Sequence, residues 1–313
     1  MKERLKSIRT KVEDFLKTDS GQIVSKLFRY GVQLLVIGIL IWQIWNIGLM
    51  SVLNDLPTHP LFYLLFLLIY FTLPIAEFFT YKRSVPLKFW SSQSIFLRKR
   101  IYNKTIVGYS GELQLFFWLK KQFGIPEKQS FRIVRDNNTL STIASTFVTI
   151  TLLLGFFLSG NITLLESLQI NLPLYLGAVF VGVVIIAIVI WKFKNYVYNL
   201  NLKDTLVISG IHAGRLYLLA ALQVLQWHVV MPDVELQIWI TIIAMQILLS
   251  RIPFVPNKDL VFIAVSLEYS QYAAISASGL AGLLLVNHIL DKVLNAGLFA
   301  WLSWKDKKGG KVD

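Results

Sequence analysis

No cysteine occurs anywhere in the chain. That excludes disulfides, thiolate zinc sites and a cysteine nucleophile. Histidine is scarce: His59, His212, His228 and His288 stand far apart, none in HExxH or similar ligand spacing, so no metal site is expected. Charge is thin as well. Lys, Arg, Asp and Glu make up 16% of residues, against about 25% in an ordinary soluble protein. There is no Walker A loop and no GxGxxG on a strand-to-helix turn, so neither an ATP-driven pump nor a dinucleotide cofactor is expected. The nearest approach to an enzyme motif is GYSGE at 108–112. It misses the G-x-S-x-G nucleophile elbow because Glu112 holds the fifth position and no strand precedes it. The chain is therefore read as a non-enzyme.

What is present is apolar surface. Of 313 residues, 55% are hydrophobic and 13% aromatic, with nine tryptophans and a mean hydropathy of +0.58. A soluble fold has no surface on which to place so many apolar groups, and aromatic residues in this number fit interfacial anchoring. The composition predicts an all-α, polytopic membrane bundle. Candidate spans of ~20 apolar residues lie near 28–50, 60–81, 140–160, 173–192, 206–230, 236–250, 259–276 and 279–301. The net charge of +13 would suggest nucleic acid in a soluble protein. Here the basic residues adjoin apolar segments, so anionic lipid headgroups are the expected partners and nucleic acid is not.

The basic residues are segregated. Eight fall in 1–29, twelve in 82–135, and the rest of the flanking set are Lys192, Lys194, Lys203, Arg251, Lys258, Lys305, Lys307, Lys308 and Lys311. The opposite loops, 51–59, 161–172, 231–235 and 277–278, contain no Lys or Arg. By the positive-inside rule both termini are expected in the cytoplasm of a multi-pass cell-membrane protein with eight crossings. The basic start lacks the short apolar stretch and small-residue site of a cleavable signal. Residues 1–26 carry Leu5, Ile8, Val12, Phe15 and Leu16 at helical spacing between charges, which reads either as a basic amphipathic helix on the cytoplasmic leaflet or as a solvated helical tail. The transmembrane domain is placed at 27–301 and a basic cytoplasmic tail at 302–313.

Two segments fit neither span nor loop. Residues 101–125 are apolar but interrupted by Gly108, Ser110, Gly111 and Glu112. Flanked by basic residues on both sides, they must enter and leave on one side, as a re-entrant element or a helix pair. Residues 249–276 contain Pro253 and Pro256, which break a helix. Paired interruptions in the two halves of a transporter point to its substrate site. The alternative is two ordinary loops packed on the cytoplasmic face.

The stretch GYSGELQLFFWLKKQFGIPEKQSF resembles the Gly-Glu/Asp segment of the lysylphosphatidylglycerol synthase transmembrane family, through Gly111, Glu112, Lys120, Lys121 and Gly124. The segment IPFVP is similar to that family's Pro-x-x-Pro signature at Pro253 and Pro256. The glycines that follow in the family are replaced by Asn257, Lys258, Asp259 and Leu260, and its glutamate falls near Ile263, so Glu268 does not inherit that role. The resemblance implies a flippase-like helical bundle in which two re-entrant elements meet, handling a lipid or lipid-linked headgroup. Only Leu302–Asp313 follow the last span, so the synthases' soluble aminoacyl-transferring domain has no counterpart and their reaction is not expected.

Ionisable groups inside a membrane are expensive and mark candidate sites. Glu77, three residues after Pro74, is read chiefly as reaching the interface. For Glu112 a substrate contact and a structural role both stand. His212 and Arg215 share a helix face, with Gly210 and Gly214 as a small-xxx-small surface for a neighbouring helix. Arg215 is read either as an internal Arg–Glu pair or as a contact to a lipid phosphate. His288 and Asp291 also share a face, as a satisfied pair or, less favoured, a proton relay. The candidate substrate-binding set is Gly108, Gly111, Glu112, His212, Arg215, Pro253 and Pro256. The expected function is movement of a phospholipid or lipid-linked precursor between leaflets. The alternative is a non-transporting membrane subunit of a glycolipid or cell-envelope biosynthesis complex. A third reading is an intramembrane lipid-modifying enzyme using His288 and Asp291. A homo-oligomer or a biosynthetic partner enzyme would be its protein partner.

Overall fold

The computed structural model describes residue 34 and residues 38–105, 109–158, 200–251 and 257–309. Every regular element among them is a helix. In chain order they are α1 (Gly38–Ile47), α2 (Leu49–Asn54), α3 (Pro60–Tyr81), α4 (Phe89–Thr105), α5 (Ser110–Phe123), α6 (Glu127–Leu158), α7 (Leu202–Val230), α8 (Leu236–Arg251), α9 (Lys258–Tyr272) and α10 (Ala277–Gly309). Among the described residues, four stretches are long and apolar enough to cross a membrane: Pro60–Tyr81, Glu127–Gly155, Leu202–Val230 and Ala277–Lys305.

The span reading meets the structure unevenly. The span at 60–81 coincides with α3. The one at 140–160 belongs to a helix that begins thirteen residues earlier, because Arg132, Arg135 and Asp136 ride on helical turns that hydropathy alone assigns to a loop. The first candidate, 28–50, is interrupted at Gly48, whose φ of 96° separates α1 from α2. The candidates at 236–250 and 259–276 correspond to α8 and α9, which have 16 and 15 residues. α10 runs on through Gly309, past the predicted end at 301. The segments 1–26 and 173–192 lie outside the described residues.

The described residues fall into two compact units. One holds those of Met1–Pro57 and Met245–Val286, the other those of Thr58–Ala244 and Asn287–Asp313. In the first, the Gln43 amide donates to the Ala264 carbonyl at 3.2 Å. α2 sits on the start of α10: Ser278 Oγ donates to Asp55 Oδ2 at 2.5 Å, and a Cβ on Gly282 would lie 2.9 Å from the Asp55 carbonyl oxygen.

The second unit is built around α3. His59 caps it, its Nδ1 accepting from the Leu61 amide, and Pro60 takes the first turn, where no amide donor is needed. One face, Phe62, Phe66, Tyr70, Pro74, Phe78 and Tyr81, is buried. The other exposes Leu61, Leu64, Leu68, Ile75 and Phe79 at helical spacing. In water such a stripe would be costly, and in hydrocarbon it costs nothing. α7 packs along α3 and α6. It is capped by Asn201, whose side chain accepts from the Asp204 amide at 2.8 Å, and Arg83, just past α3, ion-pairs with Asp204.

α4 has no single apolar face. Ile95 and Phe96 join a cluster with Phe78, Tyr81, Val85, Leu87, Leu115, Leu119 and Val134. Leu97 and Ile101 join another with Phe66, Tyr70 and Leu302. The helix is thus wedged between α3 and α5 on one side and α10 on the other.

Candidate functional site

The interrupted segment 101–125 folds as a helix pair, α4 and α5. Tyr109 turns the chain in the left-handed region (φ 70°), and the Gly111 amide donates to Asn103 Oδ1 at 2.8 Å. Gly111 is required for a steric reason. A Cβ there would stand 2.3 Å from the Lys99 carbonyl oxygen and 2.7 Å from its Cα, so only glycine lets α5 press against α4. Glu112 lies in the first turn of α5 and Lys120 and Lys121 in its last, each sign at the helix end whose dipole favours it. Gly124 closes the helix at φ 62°.

This close approach sets Glu112 beside Lys99. The Lys99 ammonium is 2.5 Å from Glu77 Oε1 on α3 and 3.4 Å from Glu112 Oε1 on α5. Lys99 and Glu77 are 3% and 4% exposed, too little for either to be a solvated surface charge. Burial alone would lower the lysine's proton affinity, but Glu77, with Tyr81 and Glu112 beyond it, outweighs this, and Lys99 is held above its ordinary value. The ammonium also lies 5.4 Å from the centre of the Tyr81 ring, which stacks on Phe96.

Arg215 joins from α7. Its charge acts on Glu77, yet its buried Nε has no hydrogen-bond partner among the described residues. His212, one turn away, is 1% exposed. Its Nε2 meets Asn137 Oδ1 on α6 at 3.3 Å, while Nδ1 is unmatched. Two carboxylates and two cations therefore nearly balance in the interior, with polar atoms left over: Glu77 Oε2, Glu112 Oε2, Arg215 Nε and His212 Nδ1.

Glu112 is the member that reaches outward. It lines a groove of about 680 Å³ between α5 and α6, together with Tyr109, Phe116, Arg135, Asn138 and Thr142 among others. That volume lies in the range of small-molecule sites. Its described lining does not include Arg215. Arg135 is ion-paired to Asp136 at 2.6 Å.

A second polar knot lies on the other flank of α4. Asp291 accepts from Arg100 at 2.9 Å, from Lys104 at 3.0 Å and from Asn295 at 2.9 Å. Tyr70 donates to Asn295 at 2.7 Å, and the Arg100 guanidinium lies 4.1 Å from the Tyr70 ring centre.

Of the candidate residues, Gly111, Glu112, His212 and Arg215 all belong to the second unit and gather around Glu77 and Lys99. Gly108, Pro253 and Pro256 lie outside the described residues. The helices flanking the two prolines, α8 and α9, are separate elements. Two expectations are corrected. Glu77 does not reach an interface: it is buried, because Lys99 waits inside for it. Asp291, read with His288, is held by Arg100 and Lys104. Among the described residues nothing lies within 4 Å of a Cβ placed on Gly210 or Gly214, so no described helix packs closely on that small-residue face. Lys99 was missed altogether, since its run LRKR reads as loop charge. The available signal was Ile95, Phe96, Lys99 and Ile101 at helical spacing in that loop. Among the described residues no group of three or more His, Asp or Glu could hold a metal ion.

The class these observations define is an all-helical protein whose long apolar helices fit a membrane. No protein-family model matches the chain, and comparisons with curated proteins and with solved structures return no match.

Proposed function

We propose that the protein moves a phospholipid or lipid-linked precursor between leaflets of the cell membrane, as a member of the lysylphosphatidylglycerol synthase transmembrane family. The observation that carries this reading is Glu112. It connects a buried, nearly neutral charge cluster to a groove of about 680 Å³ in a protein with spanning helices. Passing a polar headgroup through hydrocarbon requires groups that replace its hydration while the acyl chains stay in lipid. Glu112, Asn138, Thr142 and Thr146 supply such groups along the groove, and Arg215 lends a charge behind Glu77. Because α4 and α5 pack as a pair within the bundle, the reading takes the pair as the re-entrant element, approached from the cytoplasm.

The test is reconstitution into liposomes with headgroup-labelled lipids. Glu112→Gln and Arg215→Lys keep size and, for the second, charge; lysine loses the arginine fork that suits phosphate. Both variants are expected to fold and to lose lipid transfer. Normal transfer by both would leave Glu112 and Arg215 as structural groups. Absence of transfer by the wild-type protein, restored by adding a partner enzyme, would instead mark a subunit of an envelope biosynthesis complex.

A further inference from the structure

A second groove, of about 610 Å³, lies on the opposite side of α5, where α4, α5 and the end of α10 meet. Arg98, Lys121 and Lys305 line it with Gln114, Phe117 and Trp118, and no carboxylate is among its described lining residues. We propose that this groove is a binding site for an anionic phospholipid: its phosphate lies among the three cations and its acyl portion against Phe117 and Trp118. The site is separate from the Glu112 groove and does not depend on the function proposed for that one.

The charges are the first argument. On α4 and α5 the remaining cations are matched: Lys99 by Glu77, Arg100 and Lys104 by Asp291, and Lys120 by Glu127 at 2.8 Å. Lys120 and Lys121 are adjacent, yet only Lys120 has a carboxylate. Lys121 and Lys305, both exposed, close no ion pair among the described residues and converge on one groove. Arg98 is fixed there, donating to the Leu302 carbonyl at 2.8 Å.

The second argument is amphipathy. Gln114 also lines the groove, with a side-chain amide that can donate to a phosphate oxygen. The aromatic side chains are placed as in an interfacial belt: Phe117 is exposed, as are Trp301 and Trp304 nearby on α10, and the Lys305 ammonium lies 5.5 Å from the Trp301 ring centre. A free phosphate would use the cations and leave the aromatic wall idle; a lipid uses both.

The experiment is native mass spectrometry of the detergent-purified protein with dioleoyl phosphatidylglycerol or dioleoyl phosphatidylcholine added. The wild type is expected to retain the glycerol lipid over the choline lipid. Lys121→Gln and Lys305→Gln together are expected to weaken that retention about fivefold per lysine removed, and Lys120→Gln to leave it unchanged. Soluble glycerol phosphate is expected not to displace the lipid. Equal retention of both lipids, an unaltered double variant, or displacement by glycerol phosphate would each overturn the proposal. Should the double variant fail to fold, wild-type protein at low and high salt decides it: only the phosphatidylglycerol complex is expected to weaken.

Discussion

The Lys99 ammonium and the Glu77 carboxylate approach to 2.5 Å although both are buried and they come from different helices. Breaking such a pair strands a charge, which costs about 3–5 kcal/mol. Lys99→Met is expected to lower stability by that order, and Glu77→Leu added to it to recover most of the loss, read as melting temperature in detergent. A double variant no more stable than the single would show that Glu77 is not held by Lys99.

The same lysine sets an expectation for pH. Its raised proton affinity means that stabilisation by the charged form is fully present below the ordinary lysine value, about 10.4, and is lost only as pH rises through the higher folded value. Between pH 7 and 9 the wild type and the Lys99→Met, Glu77→Leu variant are expected to melt with parallel pH dependence. A wild-type decline across that window, absent in the variant, would mean Lys99 is losing its proton there.

Gly111 in α5 and Gly124 just past its end separate steric from conformational causes. Gly111→Ala places a methyl 2.3 Å from the Lys99 carbonyl oxygen, so α4 and α5 must part. The variant is expected to be severely destabilised and to detach Glu112 from Lys99. Gly124→Ala meets nothing within 4 Å and suffers only its left-handed backbone, about 1–2 kcal/mol. Thermal melts of the two proteins that rank them the other way would refute the close packing.

In the second polar knot, Tyr70→Phe removes one hydrogen bond to Asn295 and is expected to cost about 1 kcal/mol. Asp291→Asn is expected to cost more, because it leaves Arg100 and Lys104 without their carboxylate. Of the cations, Arg100 is the more buried, so Arg100→Gln should exceed Lys104→Gln. Equal melts for those two variants would contradict their different burial.

Orientation is testable without background, since the chain has no native cysteine. Asp233 and Lys128 are both exposed. Cysteine at 233 is expected to react with an impermeant maleimide from outside intact cells, and cysteine at 128 only after the membrane is opened. Outside labelling at 128 would invert the orientation read from the basic loops.

Helix class and the long apolar helices were legible in the sequence, because long apolar runs report on burial directly; the sides read from Lys/Arg segregation are what the cysteine labelling tests. The apolar run near 60–81 fell on α3, whose start His59 and Pro60 fix by capping it. Glu112 could be singled out as an acid in a glycine-interrupted apolar stretch, and the structure sets it beside Lys99. Lys99 was not legible, and Glu77 was misplaced for the same reason. Counting LRKR as topology assigns all its side chains to water, whereas a helix sends adjacent residues in different directions. The start of α6 was missed because charged residues on a spanning helix dilute hydropathy without breaking the helix.

The partner of Arg100 lies 191 residues further along the chain. At a synthesis rate of about 5–20 residues per second, roughly 10–40 seconds separate the two on the ribosome. Throughout that interval α4 carries cations whose carboxylate does not yet exist, so it has reason to remain at the membrane surface while α6 and α7 insert. The arrival of α10 would then draw it into place. α10 is in this sense the element that seats α4, and truncation before Asp291 should leave α4 unseated even though every residue it packs on from α3, α5 and α6 has already been made.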